Sequence, residues 1–254
     1  MAEWSVQIGI FDICYDLTSL NRFSAAPREV HLTQLVNIFC YLQSVPGKRK
    51  GIVVSPEDIE EISYKGANVK DWLEKYPGAT EEIDDGLPEP WGRPLSTTVY
   101  FDSDHAHDQV TRQSVSGVLS FDGLAPISWT SKRQGTIKSS SYSAEFCVGR
   151  VASEEAIALR YILRSLCVPI QGPMALCGDN LGMIISCTNP DSELKQKHVT
   201  ISYHKLWECT AAGIVNPIKV CTTVNRANIF TKGVSVGTLG GLSDALYGVD
   251  WGES

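Results

Sequence analysis

The sequence predicts an α/β protein, a mixed five-stranded sheet flanked by helices, with a helical extension ahead of it. Three observations predict this. Five short runs rich in β-branched and aromatic residues fall between Ser96 and Thr223. The first three follow one another across turn-like gaps, as an antiparallel meander does. The last two alternate with helix-like stretches, as parallel neighbours do. The bulk numbers agree: of 254 residues 43% are hydrophobic and 20% charged, which allows a sizeable core.

The elements follow in chain order. In EVHLTQLVNIFCYLQSV (29–45), Leu32, Leu35, Val36, Phe39 and Leu42 share a helical stripe, with Pro27 near its start and Pro46-Gly47 at its end. Such an amphipathic helix must pack on something. Residues 47–95 mix basic GKRKG, acidic EDIEEIS and EEIDDGLPEPWGRP, which predicts a poorly packed connector with one short helix around Asn68–Tyr76. STTVYFD, VSGVLSF and APISWTS read as the first three strands. A long helix follows over about Ser143–Leu166, with Ala144, Val148, Val151, Ala158, Leu159, Ile162 and Leu166 on its apolar side. PMALCGD reads as a buried strand, NLGMIISCT and ISYHKLWECTAAG as helices, NPIKVCTT as the fifth strand and RANIFTKG as a closing helical turn.

Charge and cysteines narrow the function classes. The net charge of −7 argues against a free-standing nucleic-acid binder. The acidity is uneven: residues 1–95 hold 9 Lys+Arg against 15 Asp+Glu, and the remainder 13 against 14. A near-neutral second part could still hold a phosphate backbone through local basic clusters. The eight cysteines form no C-x-x-C pair, which predicts reduced core thiols in an intracellular protein. MAEWSVQIGIFD has no basic n-region, and no secretory signal or transmembrane span is expected.

Three acids occupy comparable places. Asp102 ends the first strand, Glu145 opens the long helix, and Asp179 ends the fourth strand. In an open sheet such ends meet at one edge, where ligand sites form. Three carboxylates there would repel one another unless a divalent cation sat between them, and hard oxygen ligands suit magnesium. The spacing leaves a plainer alternative open. These are then unrelated surface acids, with Glu145 a first-turn acid favoured by the helix dipole.

The stretch from Val99 to Lys232 resembles the ribonuclease H domain of copia-type retrotransposon polyproteins. FDSDHAHD is similar to S-D-A-D-W-A-G-D. TRQSVSGVLSFDGLAPISWTSKRQ resembles R-R-S-T-S-G-Y followed by G-x-P-I-S-W-x-S-K-K-Q. SSSYSAEF resembles S-S-T-E-A-E-Y, and LCGDNLGMI resembles x-x-C-D-N-Q-S-A-I. KQKHVTISYH and RANIFTKG resemble x-T-K-H-I-D-I-R-Y-H and x-A-D-I-F-T-K-P. Upstream, RFSAAPREVHLTQLVNIFCYLQ resembles the end of the same family's reverse transcriptase.

The resemblance implies a ribonuclease H-like domain over 96–232 and a helical remnant of the reverse transcriptase C-terminal region over 1–46. A connector over 47–95 would join them, and 233–254 would be a tail. It implies cleavage of the RNA strand of RNA–DNA hybrids, in a cytoplasmic virus-like particle or the nucleus. Asp102, Glu145 and Asp179 would hold two magnesium ions, with manganese able to substitute. The partners implied are the hybrid and a reverse transcriptase domain or polyprotein, with no membrane. The family's last acid falls at Asn228, a weaker metal ligand, so one site should lose affinity. The alternative is a degenerate, non-catalytic fragment that binds nucleic acid or a partner chain. A DNA-cleaving nuclease of the same fold is a third reading, which the A-x-I-F-T-K ending disfavours.

Lys132, Arg133 and Lys138 form a modest basic cluster that either touches substrate phosphates or is a solvated loop. Asn180 and His198 lie in family motifs and are the remaining substrate-side candidates, His198 equally as a packed, hydrogen-bonded residue. Asp104 is a neighbour of Asp102 on the same strand face if the strand continues. His105 and His107 lack a third ligand in a matching pattern. The serines at 139–141 and 143 have no G-x-S-x-G elbow and no His/Asp partner, which argues against a serine nucleophile.

Overall fold

The computed structural model describes residues 2–44, 52, 54, 72, 74–106, 108, 111–194, 196–233 and 247. The sheet has the predicted five strands: β1 (Thr97–Asp104), β2 (Val115–Asp122), β3 (Ala125–Arg133), β4 (Met174–Gly178) and β5 (Val215–Lys219). Its order is β3-β2-β1-β4-β5, with β1 to β3 antiparallel and β4 and β5 parallel to β1. The meander and the later crossovers both form as read. Helices α1 (Ala2–Gln7), α2 (Cys14–Asn21) and α3 (Glu29–Ser44) precede the sheet. Within the sheet region lie α4 (Ser141–Ser165), α5 (Leu181–Thr188) and α6 (Thr200–Ala211), and a 3₁₀ turn closes it at Arg226–Phe230.

Strand alternation divides the core in two. Val99, Phe101, Val118, Met174 and Leu176 face α4, α5 and α6, where Phe146, Val148, Met183, Leu206 and Trp207 complete one cluster. Tyr100, Leu119, Phe121, Ala175 and Cys177 face the other way, against Ile229 and Phe230 of the closing turn. The N-terminal extension shares that second cluster. Phe11 is fully buried, its ring 5.0 Å from Trp129, and the Trp129 indole donates to the Val6 carbonyl at 3.0 Å.

Two glycines permit close approach. A Cβ on Gly117 would lie 2.8 Å from Phe230 Cβ, so only glycine lets the closing turn lie on β2. A Cβ on Gly178 would lie 2.3 Å from Phe101 Cζ, and that contact fixes the end of β4.

Several expectations need correction. The stripe read on α3 is largely not its packed face. Leu32, Val36 and Phe39 are exposed, whereas Leu42 of the stripe packs, together with Ile38 and Tyr41, on Ile13 and Leu17 of the preceding segment. Positions 38 and 41 form an equally good stripe with Leu42, so periodicity alone does not choose the packed face. On α4, Ala158, Ile162 and Leu166 are exposed. Ala144 and Val148 are buried as read and Val151 and Leu159 pack on the same core, while Ala152 and Ala156 complete the face, because a helix this close to a sheet selects small residues. Most described residues of the connector are exposed, but some of its side chains pack on the body of the fold. Trp72 is fully buried and edge-on to Trp207 at 5.0 Å, and Glu81 sits between Arg160 and Arg164. Most of the short helix expected around Asn68–Tyr76 lies outside the described residues. All eight cysteines are unpaired, but only Cys14, Cys177, Cys187 and Cys209 are buried, while Cys40 and Cys221 are exposed.

Candidate metal centre

The helix that carries Glu145 starts on a serine capping box. The Ser140 hydroxyl accepts from the Ser143 backbone N–H, and the Ser143 hydroxyl lies 3.2 Å from the Ser140 N–H. The serine run therefore serves the helix end. Glu145 lies beyond the first turn and is 3% exposed, so it is not a solvated first-turn acid. Its Oε1 accepts from the Ser103 backbone N–H at 3.2 Å, which ties α4 to the end of β1.

Asp102, on β1, is 4% exposed. Its Oδ2 accepts from the Thr231 hydroxyl just beyond the closing turn. Asp179 follows directly on β4 and is half-buried. One carboxylate oxygen from each of Asp102, Glu145 and Asp179 lies within 4.8 Å of the others. The three acids predicted to meet at one sheet edge do meet there.

The electrostatics fit a cation. Burial pushes the Glu145 carboxyl well above the usual carboxylate range, and Asp102 and Asp179 push it further. Burial also raises Asp102, against the Thr231 hydrogen bond and the Lys232 charge, which lower it. Glu145 Oε2 and Asn228 Oδ1 are buried acceptors with no donor. An oxygen held without a donor among clustered carboxylates, as Glu145 Oε2 is, belongs to the donor set of a hard divalent ion.

Asn228 is 5% exposed in the closing turn, and its amide nitrogen donates to the Thr222 carbonyl. The basic candidates scatter. Lys132, in register with Ser116, is exposed. Arg133 pairs with Asp108 at 3.4 Å. Lys138 Nζ donates to the Thr136 hydroxyl at 2.8 Å. Asn180 Oδ1 caps α5 by accepting from the Met183 N–H at 3.0 Å. His198 Nε2 lies 3.1 Å from the Ser139 hydroxyl at the start of α4. His105 Nε2 lies 3.0 Å from the Lys138 carbonyl oxygen, and His107 lies outside the described residues.

Sequence reasoning missed Thr231 and Gln134. Gln134 is buried, and its side-chain amide reaches Ser103, Ser116 and the Ala144 carbonyl. Both stand inside the quoted motifs, but a neutral side chain gives no charge signal to single it out.

No protein-family model matches the chain. It is similar to the retrovirus-related Pol polyprotein from transposon RE1 of Arabidopsis thaliana, with 28% identity over 224 residues, 88% of this chain and 13% of that polyprotein. A second such polyprotein of the same plant, from transposon RE2, is 31% identical over 57% of this chain and 10% of its own length. One from a Nicotiana tabacum transposon is 31% identical over 52% of this chain. These are the retrotransposon polyproteins that the motifs resemble, and the chain spans only 13% and 10% of the first two. Among solved structures, the N-terminal RNase H domain of a Mycobacterium tuberculosis protein is covered over 98% of its length at 10% identity, with a TM-score of 0.43. RNase H1 of Halobacterium salinarum is covered over 90% at 14% identity, with a TM-score of 0.40. The fold itself is α/β, a mixed five-stranded sheet flanked by helices. No described helix is long and apolar enough to cross a membrane.

Proposed function

We propose that this chain is a metal-dependent endonuclease of ribonuclease H type, which cleaves the RNA strand of RNA–DNA hybrids during retrotransposon reverse transcription. The observation that carries the reading is the convergence of Asp102, Glu145 and Asp179 within 4.8 Å at one end of the sheet. They would hold two magnesium ions, and manganese is expected to substitute. Bound there, such ions supply an activated water and stabilise the leaving 3′ oxygen.

The chain's own residues prepare that site. The Ser103 N–H and the Thr231 hydroxyl hold Glu145 and Asp102 by one oxygen each. Asp179, half-buried, is the most accessible of the three. With Oδ1 engaged as a cap, Asn180 keeps its amide N–H groups for substrate. His198 stands at the helix start beside Ser139, and Lys132 and Lys138 offer charge for a phosphate backbone. Arg133 already has Asp108 as a partner. A hybrid would be read by shape, backbone and 2′-hydroxyls. In the same reading residues 1–46 are the end of a reverse transcriptase domain, 47–95 a connector, 96–232 the nuclease and 233–254 a tail. The site of action is then a cytoplasmic particle or the nucleus.

A second reading rests on Asn228. A neutral amide stands at the family's last acid and spends its nitrogen on Thr222. A fragment that folds and binds without cleaving would look like this. Cleavage of a labelled RNA–DNA hybrid by the purified chain, in magnesium and then manganese, separates the two. The nuclease reading expects cleavage that Asp179→Asn abolishes and Asn228→Asp increases. Silence of both the folded native chain and Asn228→Asp would favour the non-catalytic fragment.

A further inference from the structure

The carboxylates belong to different elements, and something must hold those elements at a fixed spacing. Gln134, just beyond β3, is 6% exposed. Its Nε2 lies 3.2 Å from the Ser103 hydroxyl on β1, 2.9 Å from the Ser116 hydroxyl on β2 and 3.1 Å from the Ala144 carbonyl of α4. Ser103 directly follows Asp102, and Ala144 directly precedes Glu145. The Ala144 carbonyl can only accept, so it fixes which end of the amide points there. Gln134's own backbone N–H donates to the Ser114 carbonyl at 2.8 Å, which anchors the residue beside β2.

We propose that Gln134 is a positioning residue that sets the spacing and orientation of the Asp102 and Glu145 carboxylates for the metal. This rests on the metal-centre reading above. Gln134 touches neither carboxylate. One amide nitrogen bridges the neighbours of both, while Glu145 itself reaches the Ser103 N–H. With the bridge in place, the strand end and the helix start move together. Without it, Glu145 keeps one hydrogen bond to β1, and the start of α4 is free to shift against the strand. Hydrogen-bonding groups behind metal ligands commonly change affinity by about 10–100-fold when lost.

The test is manganese binding to the purified full chain, by calorimetry with no nucleic acid present. Gln134→Met keeps volume and burial and removes the amide. It is expected to bind manganese about 10-fold more weakly than the native chain. Ser128→Ala, which removes a hydrogen bond to Glu155 away from the carboxylates, serves as the control for a general loss of stability. It is expected to melt lower with unchanged affinity. If Gln134→Met fails to fold, Gln134→Asn, with an amide one methylene too short to span both neighbours, is expected to show the same weakening. Equal affinity in the native chain and the folded Gln134 variant overturns the proposal and leaves the metal centre standing. If the native chain binds no manganese that Asp179→Asn removes, the metal reading and this inference fall together.

Discussion

The Thr231 hydroxyl donates to Asp102 Oδ2 across 129 residues of sequence, and both side chains are buried. The same hydroxyl lies 3.1 Å from the Asn228 carbonyl, so it links the first acid to the turn that carries Asn228. Thr231→Val keeps the shape and removes the donor. Asp102 Oδ2 then loses its hydroxyl donor while staying buried, which costs about 1–3 kcal/mol. Urea denaturation should show that loss, and manganese calorimetry a weaker site.

Glu145 and Asp102 are buried acids beside each other, and without a cation their charges oppose folding. Glu145→Gln is therefore expected to stabilise the metal-free chain by roughly 1–2 kcal/mol, or about 2–6 °C in melting temperature, while abolishing cleavage. Magnesium should raise the melting temperature of the native chain and leave that of Glu145→Gln nearly unchanged. A native chain with the same melting temperature with and without magnesium would count against the site.

Glu81 accepts from Arg160 and Arg164 at 2.6–2.7 Å. Burial alone would raise its carboxyl, but the hydrogen bonds from both arginines outweigh that and hold it down to about 2, from an ordinary 4.5. The sign follows. The folded state binds the proton less well, so the clasp stabilises fully above the unfolded value and is lost as pH falls from about 4.5 through about 2. Glu81→Gln should cost on the order of 3 kcal/mol at pH 7, by urea denaturation, and flatten the decline below pH 4.5.

Gly178 has no room for a methyl against the Phe101 ring and stands directly before Asp179. Gly178→Ala should cost about 1–3 kcal/mol through overpacking and weaken manganese binding by displacing Asp179. Adding Phe101→Leu should recover part of both. If the two losses simply add in a double-mutant cycle, the ring is not the cause.

Much of the candidate site was legible before any coordinates. Asp179 directly follows a strand, Asp102 lies two residues inside the end of β1 and Glu145 one turn inside α4, near enough to element ends for the local pattern to point to them. Asn228 was visible as a departure because a motif surrounds it. The neutral groups behind the acids were not legible. Gln134 and Thr231 act on atoms ten or more residues away, and a buried amide or hydroxyl has no period and no charge.

The sequence by itself determined the five strands, their meander-then-crossover order, the helices from α3 onward and the three acids, but not α1 and α2. Local patterns suffice for these, because period, turn residues and strand ends are properties of short segments. Tertiary structure decided which face each helix buries and what supports the acids. Leu32, Val36 and Phe39 of α3 lie on a stripe no worse than that of Ile38 and Tyr41, yet only the latter meet the preceding segment. Arg160 is buried in α4 because Glu81, from a segment read as a loose connector, reaches it. Burial is a relation between distant parts of the chain, and its physical cause appears only when the partner arrives.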